Sequence, residues 1–284
     1  MYVIAGVSGR VGSVAANQLL EQGKQVKVIV RDAKKGEAWS KRGAEVAVGE
    51  LQDRAFLTGA LEGATGFFTL LPQKYDVPDF FAFQKETANE IAAAVKNSGM
   101  PHVVVLSSLG ADLEAGTGTI KGLHYLENAL RKTGARVTAI RASYFQENVG
   151  NFLVPVRQAG FFPSLLDPDY PFPQVATVDI GKLVAESLLS PPAKSEVVDL
   201  LGPLYSQRQV AEKLGKALGK PVNVVAVPRE GWVPGLMQGG FSKNLAELYA
   251  EMSDAFANGL VSPKGDRIVQ GTTRLEDTLP HVLG

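Results

Sequence analysis

The chain opens M-Y-V-I-A-G-V-S-G-R-V-G over Met1–Gly12, and V-A-A-N-Q-L-L follows over Val14–Leu20. A short apolar run, Tyr2–Ala5, stops at Gly6, and Gly9 and Gly12 come next at intervals of three. The run predicts a strand, and the amphipathic segment from Val14 predicts a helix. Strand, glycine turn and helix in that order present free backbone N–H groups at a helix N-terminus, where a phosphate binds. Gly6 would permit the tight turn, Gly9 the close approach of a pyrophosphate, and Gly12 the close packing of helix on strand. The spacing is G-x-x-G-x-x-G rather than the ordinary G-x-G-x-x-G. Its structural context, more than the glycines themselves, points to a dinucleotide site.

Outward from this turn, strands and helices alternate. Gln25–Val30 is a β-branched run closed by Arg31-Asp32, and Ala33–Arg42 a polar helix ended by Gly43. Ala44–Val48 and Thr65–Leu71 read as strands, with a helix between them capped by Asp53. Phe80–Asn97 is a long helix with Ala82, Ala88, Ile91, Ala92 and Val95 on one face, ended by Ser98-Gly99. His102–Leu106 is apolar enough for a strand buried on both faces. A helix near Gly122–Lys132 and a strand at Arg136–Ile140 continue the pattern. Such alternation predicts an α/β fold: a doubly wound parallel (Rossmann) sheet in residues 1–150. Residues 151–284 are expected to form mostly a smaller α+β substrate lid, with some elements packing back on the core. In that half Asn151–Gln174 reads as irregular, Asp179–Leu189 and Ser206–Leu218 as helices, and Val197–Leu201 and Val222–Val227 as strands. Gly231–Gly259 reads as helical with a break at Gly239-Gly240.

Composition narrows the function. Lysine plus arginine and aspartate plus glutamate balance at 29 each, so no global field favours nucleic acid or an anionic membrane. The absence of cysteine excludes disulfides, thiolate metal sites and a cysteine nucleophile. The three histidines are scattered with no metal-binding spacing, so no metal is expected. No signal peptide or membrane-length apolar run is visible. A cytoplasmic monomer or homodimer acting on a small molecule is the expectation.

Ligands in doubly wound sheets sit beyond the carboxyl ends of the strands. NAD-binding proteins usually place a carboxylate at the end of the second strand for the ribose 2′-hydroxyl. Here Arg31 stands first, and a guanidinium forks onto phosphate, which favours NADP while leaving NAD possible. Asp32 competes, as a helix cap or a ribose ligand. Tyr144, Phe145 and Asn148 fall where the chain enters the lid and would line a substrate pocket suited to a flat, conjugated molecule. Trp232, Met237 and Phe241 would close it. Glu127 and Arg141 are expected to pair and tie helix to loop.

The motifs G-V-S-G-R-V-G (Gly6–Gly12), V-R-D (Val30–Asp32), V-V-L-S-S (Val104–Ser108), L-H-Y-L-E-N-A-L (Leu123–Leu130) and I-R-A-S-Y-F-Q-E-N (Ile140–Asn148) together resemble the NmrA-like branch of the atypical short-chain dehydrogenases/reductases. The resemblance implies that Ser8, Gly9, Arg10 and Val11 contact the pyrophosphate and Arg31 the adenosine phosphate. It also implies that Leu70 and Leu71 line the nicotinamide-side ribose and that Ser107 and Ser108 lie near the nicotinamide. The branch contains quinone and phenolic-ether reductases as well as inert NADP sensors. Conventional members of the superfamily use Tyr-x-x-x-Lys as acid and base, and no such spacing follows the fifth strand here. Some reductases of the branch use a lone lysine in this region; Lys121, the nearest candidate for it, and His124 are the candidate catalytic groups. The competing reading of His124 is a half-buried helix residue bonded to a loop. The leading expectation is NADPH-dependent reduction of a quinone or enone. The alternative is a non-catalytic NADP(H) sensor acting through a protein partner.

Overall fold

The computed structural model describes residues 1–284. β1 (Tyr2–Ile4), α1 (Arg10–Glu21), β2 (Val26–Val30), α2 (Ala33–Ser40) and β3 (Glu45–Val48) build one wing. α3 (Arg54–Leu61), β4 (Gly66–Thr69), α4 (Phe80–Asn97), β5 (His102–Ser108), α5 (Lys121–Arg131) and β6 (Arg136–Ala142) build the other. With β10 (Glu196–Leu201) and β13 (Arg267–Gln270) from the second half, the sheet order β13-β10-β6-β5-β4-β1-β2-β3 places the reversal of winding between β1 and β4. Every neighbouring pair in this sheet is parallel.

Strand side chains alternate between two cores, as the period of two requires. Ile4, Val28, Phe68, Val104, Ile140 and Val198 meet α1 and α7 (Thr177–Leu189) on one face. Val3, Ile29, Phe67, Val103, Val137 and Ala139 meet α3, α4 and α5 on the other. Strands covered on both sides carry the continuous apolar runs seen in the sequence.

The second half begins with β7 (Tyr144–Phe145), a 3₁₀ turn at Gln146–Phe152, α6 (Leu153–Ala159), β8 (Phe161–Ser164) and β9 (Phe172–Val175). It continues with α7 (Thr177–Leu189), β10 (Glu196–Leu201), β11 (Leu204–Tyr205), α8 (Gln207–Leu218) and β12 (Asn223–Ala226). α9 (Arg229–Gln238), α10 (Lys243–Ala257), β13 (Arg267–Gln270) and α11 (Leu275–Leu283) complete the chain. β10 and β13 extend the main sheet, and α7 packs beside α1. Small sheets β11-β9-β7 and β12-β8 lie outside it.

Several expectations need correction. α1 starts at Arg10 rather than Val14, because Gly9 is already its N-cap and the glycine turn is the helix's first turn. Asn151–Gln174 is not irregular but holds α6, β8 and β9. On α4 the buried face runs through Phe80, Gln84, Thr87, Ala88, Ile91, Ala94 and Val95, leaving Ala82 exposed and Ala92 half-buried. β13 gave no signal, since an exposed edge strand of four residues needs no apolar alternation. No helix is long and apolar enough to cross a membrane.

Candidate functional site

Gly6 adopts φ of 68°, a left-handed conformation that turns the chain sharply after β1. A Cβ at Gly12 would stand 2.6 Å from the carbonyl oxygens of both Ala5 and Gly6, so only glycine lets α1 close onto β1. Gly9 caps the helix without a side-chain acceptor, and its own N–H donates to the Gly6 carbonyl at 2.9 Å. The N–H groups of Arg10, Val11 and Gly12 therefore have no acceptor in the protein. Unsatisfied first-turn donors plus the positive end of a 12-residue helix make an anion cradle. A depression of about 500 Å³ lies over it, lined by Val7, Ser8, Gly9, Arg10 and Ser13. The Val11 side chain packs into the core, which leaves only its backbone for a ligand.

Arg31 ends β2 next to this turn and is exposed, as is Arg10. Neither has an ion pair, hydrogen bond or ring partner. Every other arginine has one: Arg42 on Trp39, Arg136 and Arg157 on carbonyls, and the rest on carboxylates. Asp32 is occupied as the cap of α2, accepting from the Lys34 N–H at 2.9 Å. Two free guanidiniums thus flank the cradle, and the neighbouring carboxylate is spent on structure.

The other expected cofactor contacts separate on burial. Leu70 is half-buried and packs against Gly6, where an added Cβ would lie 2.6 Å from its methyl. Leu71 is 5% exposed within the opposite core, so its side chain cannot line a ribose. Ser107 is buried and donates to Glu127 Oε1 at 2.6 Å. Glu127 in turn takes both forks of Arg141, at 2.9 and 2.8 Å. Burial alone would lower the Arg141 pKa; the hydrogen bonds and charge of Glu127 more than reverse it. Ser107 thus belongs to the tie between α5 and β6, because alternation turns it inward and Ser108 outward. Ser108 is half-buried and bonds the Leu109 carbonyl.

His124 has Nδ1 2.9 Å from the Ala111 carbonyl and Nε2 2.9 Å from Asn128 Nδ2. The carbonyl can only accept and the amide only donates, so the proton sits on Nδ1 and Nε2 is an acceptor. This is the helix-to-loop arrangement, with neither ring nitrogen free to give a proton. Lys121 holds its ammonium over the Phe81 ring, 4.5 Å from the centroid, and Tyr125 donates to Asn89 at 2.8 Å. Lys121 and Tyr125, four residues apart in the reverse of the Tyr-x-x-x-Lys order, therefore have separate partners.

Beyond β4 and β6 the structure assembles an aromatic wall. Tyr144 packs edge-on against Phe172 at 5.6 Å, and burial pushes its hydroxyl up to about 12, with the Asn148 side chain pulling the other way. Phe145 packs back on the core. Phe241 meets Tyr75 at 5.5 Å and Tyr249 at 5.1 Å, both edge-on. Sequence reasoning included Phe241 but missed Tyr75 and Tyr249. Tyr75 had a signal, standing just past Pro72 at a strand's carboxyl end. Tyr249 had none, since it arrives on α10 from far along the chain. Trp232 is sealed in its own turn, donating to the Val227 carbonyl at 2.8 Å, and Met237 is 45% exposed.

The family described as NmrA-like matches the chain over residues 2–273. The NAD(P)H azoreductase of Xenophilus azovorans is 26% identical over 289 residues, covering 100% of this chain and 93% of the relative. Quinone oxidoreductase 2 of Escherichia coli (strain K12) is 24% identical over 291 residues, covering 100% and 99%. Among solved structures, the triphenylmethane reductase of Citrobacter sp. complexed with NADP(H) superposes with a TM-score of 0.83 at 19% identity, covering 99% of this chain and 100% of that one.

Proposed function

The chain belongs to the NmrA-like family, and on that premise we propose that it is an NADPH-dependent oxidoreductase reducing a small conjugated acceptor of the quinone or enone type. The observation that carries the reading is the pair of partnerless guanidiniums, Arg10 and Arg31, beside a helix N-terminus whose first three N–H groups have no acceptor. That donor set fits a pyrophosphate and, at Arg31, a 2′-phosphate; a ribose hydroxyl alone would suit a carboxylate better. Ser8, Arg10, Val11 and Gly12 would hold the pyrophosphate through backbone N–H groups, Gly9 would let it approach closely, and Leu70 would cover the turn. Bound NADPH would supply a hydride, which the acceptor takes in an apolar, water-poor space. The residues of this chain then have two tasks: to keep the cofactor's charges paired and to stack a flat acceptor against Tyr144, Phe241 and Tyr249. His124 is assigned to structure, and Lys121 to the rim beside Phe81. The azoreductase and quinone oxidoreductase activities named for the relatives support this assignment.

A second reading, an NADP(H)-binding sensor without turnover, is favoured by the absence of any Tyr-x-x-x-Lys in the sequence. NADPH oxidation by the purified protein with a panel of small quinones separates the two. Saturable turnover supports the reductase. Tight NADPH binding without turnover on any acceptor supports the sensor.

A further inference from the structure

Four lysines of the chain are half-buried: Lys27, Lys121, Lys213 and Lys220. Three of them spend the ammonium on oxygen. Lys27 reaches the Ala60 carbonyl and Glu45, Lys213 pairs with Glu276, and Lys220 donates to the Arg157 carbonyl. Lys121 alone has no oxygen partner, and its ammonium rests 4.5 Å from the centroid of the Phe81 ring. Lys121 also opens α5, so its charge sits at the positive end of the helix, and no acidic residue occupies the first turn. A cation there opposes the helix dipole, and a half-dried one adds a solvation cost.

A second unspent group stands beside it. Gln84 on α4 is 2% exposed, its Oε1 is fully enclosed, and its amide makes no hydrogen bond within the protein. Gln146 and Gln174, equally buried, both donate to backbone carbonyls. Gln84 lies on the residue next to Lys121, since a Cβ at Gly122 would overlap its amide oxygen. Both groups adjoin the Phe241 ring set. Phe80, one residue before Phe81, forms a small core with Leu245 and Leu248, against which Phe241 and Tyr249 pack. The 3₁₀ turn Gly118–Ile120, which leads into Lys121, lies against α10. A Cβ at Gly118 would overlap the Leu248 carbonyl, and the Thr119 hydroxyl meets Met252 Sδ at 3.4 Å. Lys121 and Gln84 therefore stand on the helix ends that carry this part of the aromatic wall.

We propose that Lys121 and Gln84 determine specificity by receiving an acidic group, a carboxylate or sulfonate, carried by the flat aromatic acceptor. The proposal rests on the reductase reading and deepens it by giving the acceptor a charge. An anion at this point meets three needs together. It pairs the one half-buried ammonium that lacks an oxygen, takes a hydrogen bond from the Gln84 Nε2, and offsets a cation placed against the α5 dipole. Phe81 holds the ammonium by its ring face, a weaker tie than a carboxylate would make, so the lysine is positioned without being consumed. The pair binds and orients the acceptor and takes no part in the hydride step.

The test uses Lys121→Gln, Lys121→Arg and Gln84→Met in the full chain. It reads kcat/KM with a neutral naphthoquinone and with its sulfonate, NADPH affinity, thermal midpoint, and the Kd of redox-inert naphthalene sulfonate on the NADP⁺-loaded protein. Lys121→Gln should lower the ratio of sulfonated to neutral kcat/KM about tenfold, the scale of one charge-assisted hydrogen bond, and Lys121→Arg should keep it within about threefold. In the parent that ratio should fall as salt rises from about 0.05 to about 0.5 M, and in Lys121→Gln it should not. Gln84→Met should lower the ratio about threefold and raise the thermal midpoint, because it removes an enclosed polar atom that has no partner. A ratio in Lys121→Gln within about twofold of the parent, or a parent ratio indifferent to salt, would overturn the proposal. So would a loss of NADPH affinity equal to the loss with the sulfonate, which would give the ammonium to the cofactor. If the parent protein turns over neither quinone, the reductase reading fails and naphthalene sulfonate binding decides alone. Weaker binding in Lys121→Gln then keeps the anion site, and an equal Kd removes it.

Discussion

The glycine cradle and the tyrosine wall both lie past the carboxyl ends of the sheet's strands but are built by opposite means. The cradle is contiguous: Gly6, Gly9 and Gly12 shape it, and its donors are backbone groups of the next residues. The wall draws on two ring sets from distant parts of the chain, Tyr144 with Phe172, and Tyr75 with Phe241 and Tyr249, the last carried by α10. A site made of neighbours in sequence is fixed by local conformation. A site made of distant residues is fixed by the packing that carries them. The cradle should therefore set which cofactor binds and the wall which acceptor, with little cross-talk between them.

Gly12→Ala should do the most. Its Cβ would meet two backbone oxygens at 2.6 Å, neither of which can rotate away. NADPH affinity should fall by at least about 100-fold, or roughly 3 kcal/mol. Loss of acceptor affinity without loss of NADPH affinity in a titration of each would break the division between the regions.

His102 lies at the start of β5, on neither region, and reports on the frame that carries both. It is fully buried, and burial lowers its pKa from 6.5 to about 4. The native ring stays neutral between those values while the unfolded one takes a proton, so stability falls as pH drops through that window. The loss approaches about 3 kcal/mol below pH 4. Denaturant unfolding at pH 7 and pH 4.5 should show this slope, and His102→Gln should flatten it. An unchanged slope in the variant would assign acid sensitivity elsewhere.

Asn244→Ala sharpens the comparison by loosening α10 alone. Loss of one hydrogen bond to the Phe80 N–H, worth about 1 kcal/mol, should raise the acceptor KM about fivefold and leave the NADPH Kd unchanged. Steady-state kinetics with each substrate varied gives the answer. The smallest effect belongs to His124→Gln, expected to change kcat by less than about twofold, since both ring nitrogens already hold structure. A kcat collapse with normal folding would return His124 to the chemistry.

The same contrast explains what the sequence could tell. Strands buried on both faces carry unbroken apolar runs, so β2, β5 and β6 were visible, as was the cap Asp53. The Glu127–Arg141 pair was expected from their placement on adjoining elements and is present. Ser107 was misjudged because the sequence gives its position at a strand end but not which face it turns to. Leu71 failed for the same reason. Tyr249 was invisible because it joins Tyr75 only through Phe241, and no local pattern encodes a contact across so much chain.

Phosphate recognition at the cradle is the claim on which the cofactor assignment stands. Titration of NADPH and NADH into the parent protein and into Arg31→Ala and Arg10→Ala tests it most directly. The account predicts NADPH binding at least about tenfold tighter than NADH in the parent, from a charge-assisted pair at the 2′-phosphate. Arg31→Ala should erase that preference, and Arg10→Ala should weaken both cofactors alike. Equal affinities in the parent, or a preference that survives Arg31→Ala, would contradict it.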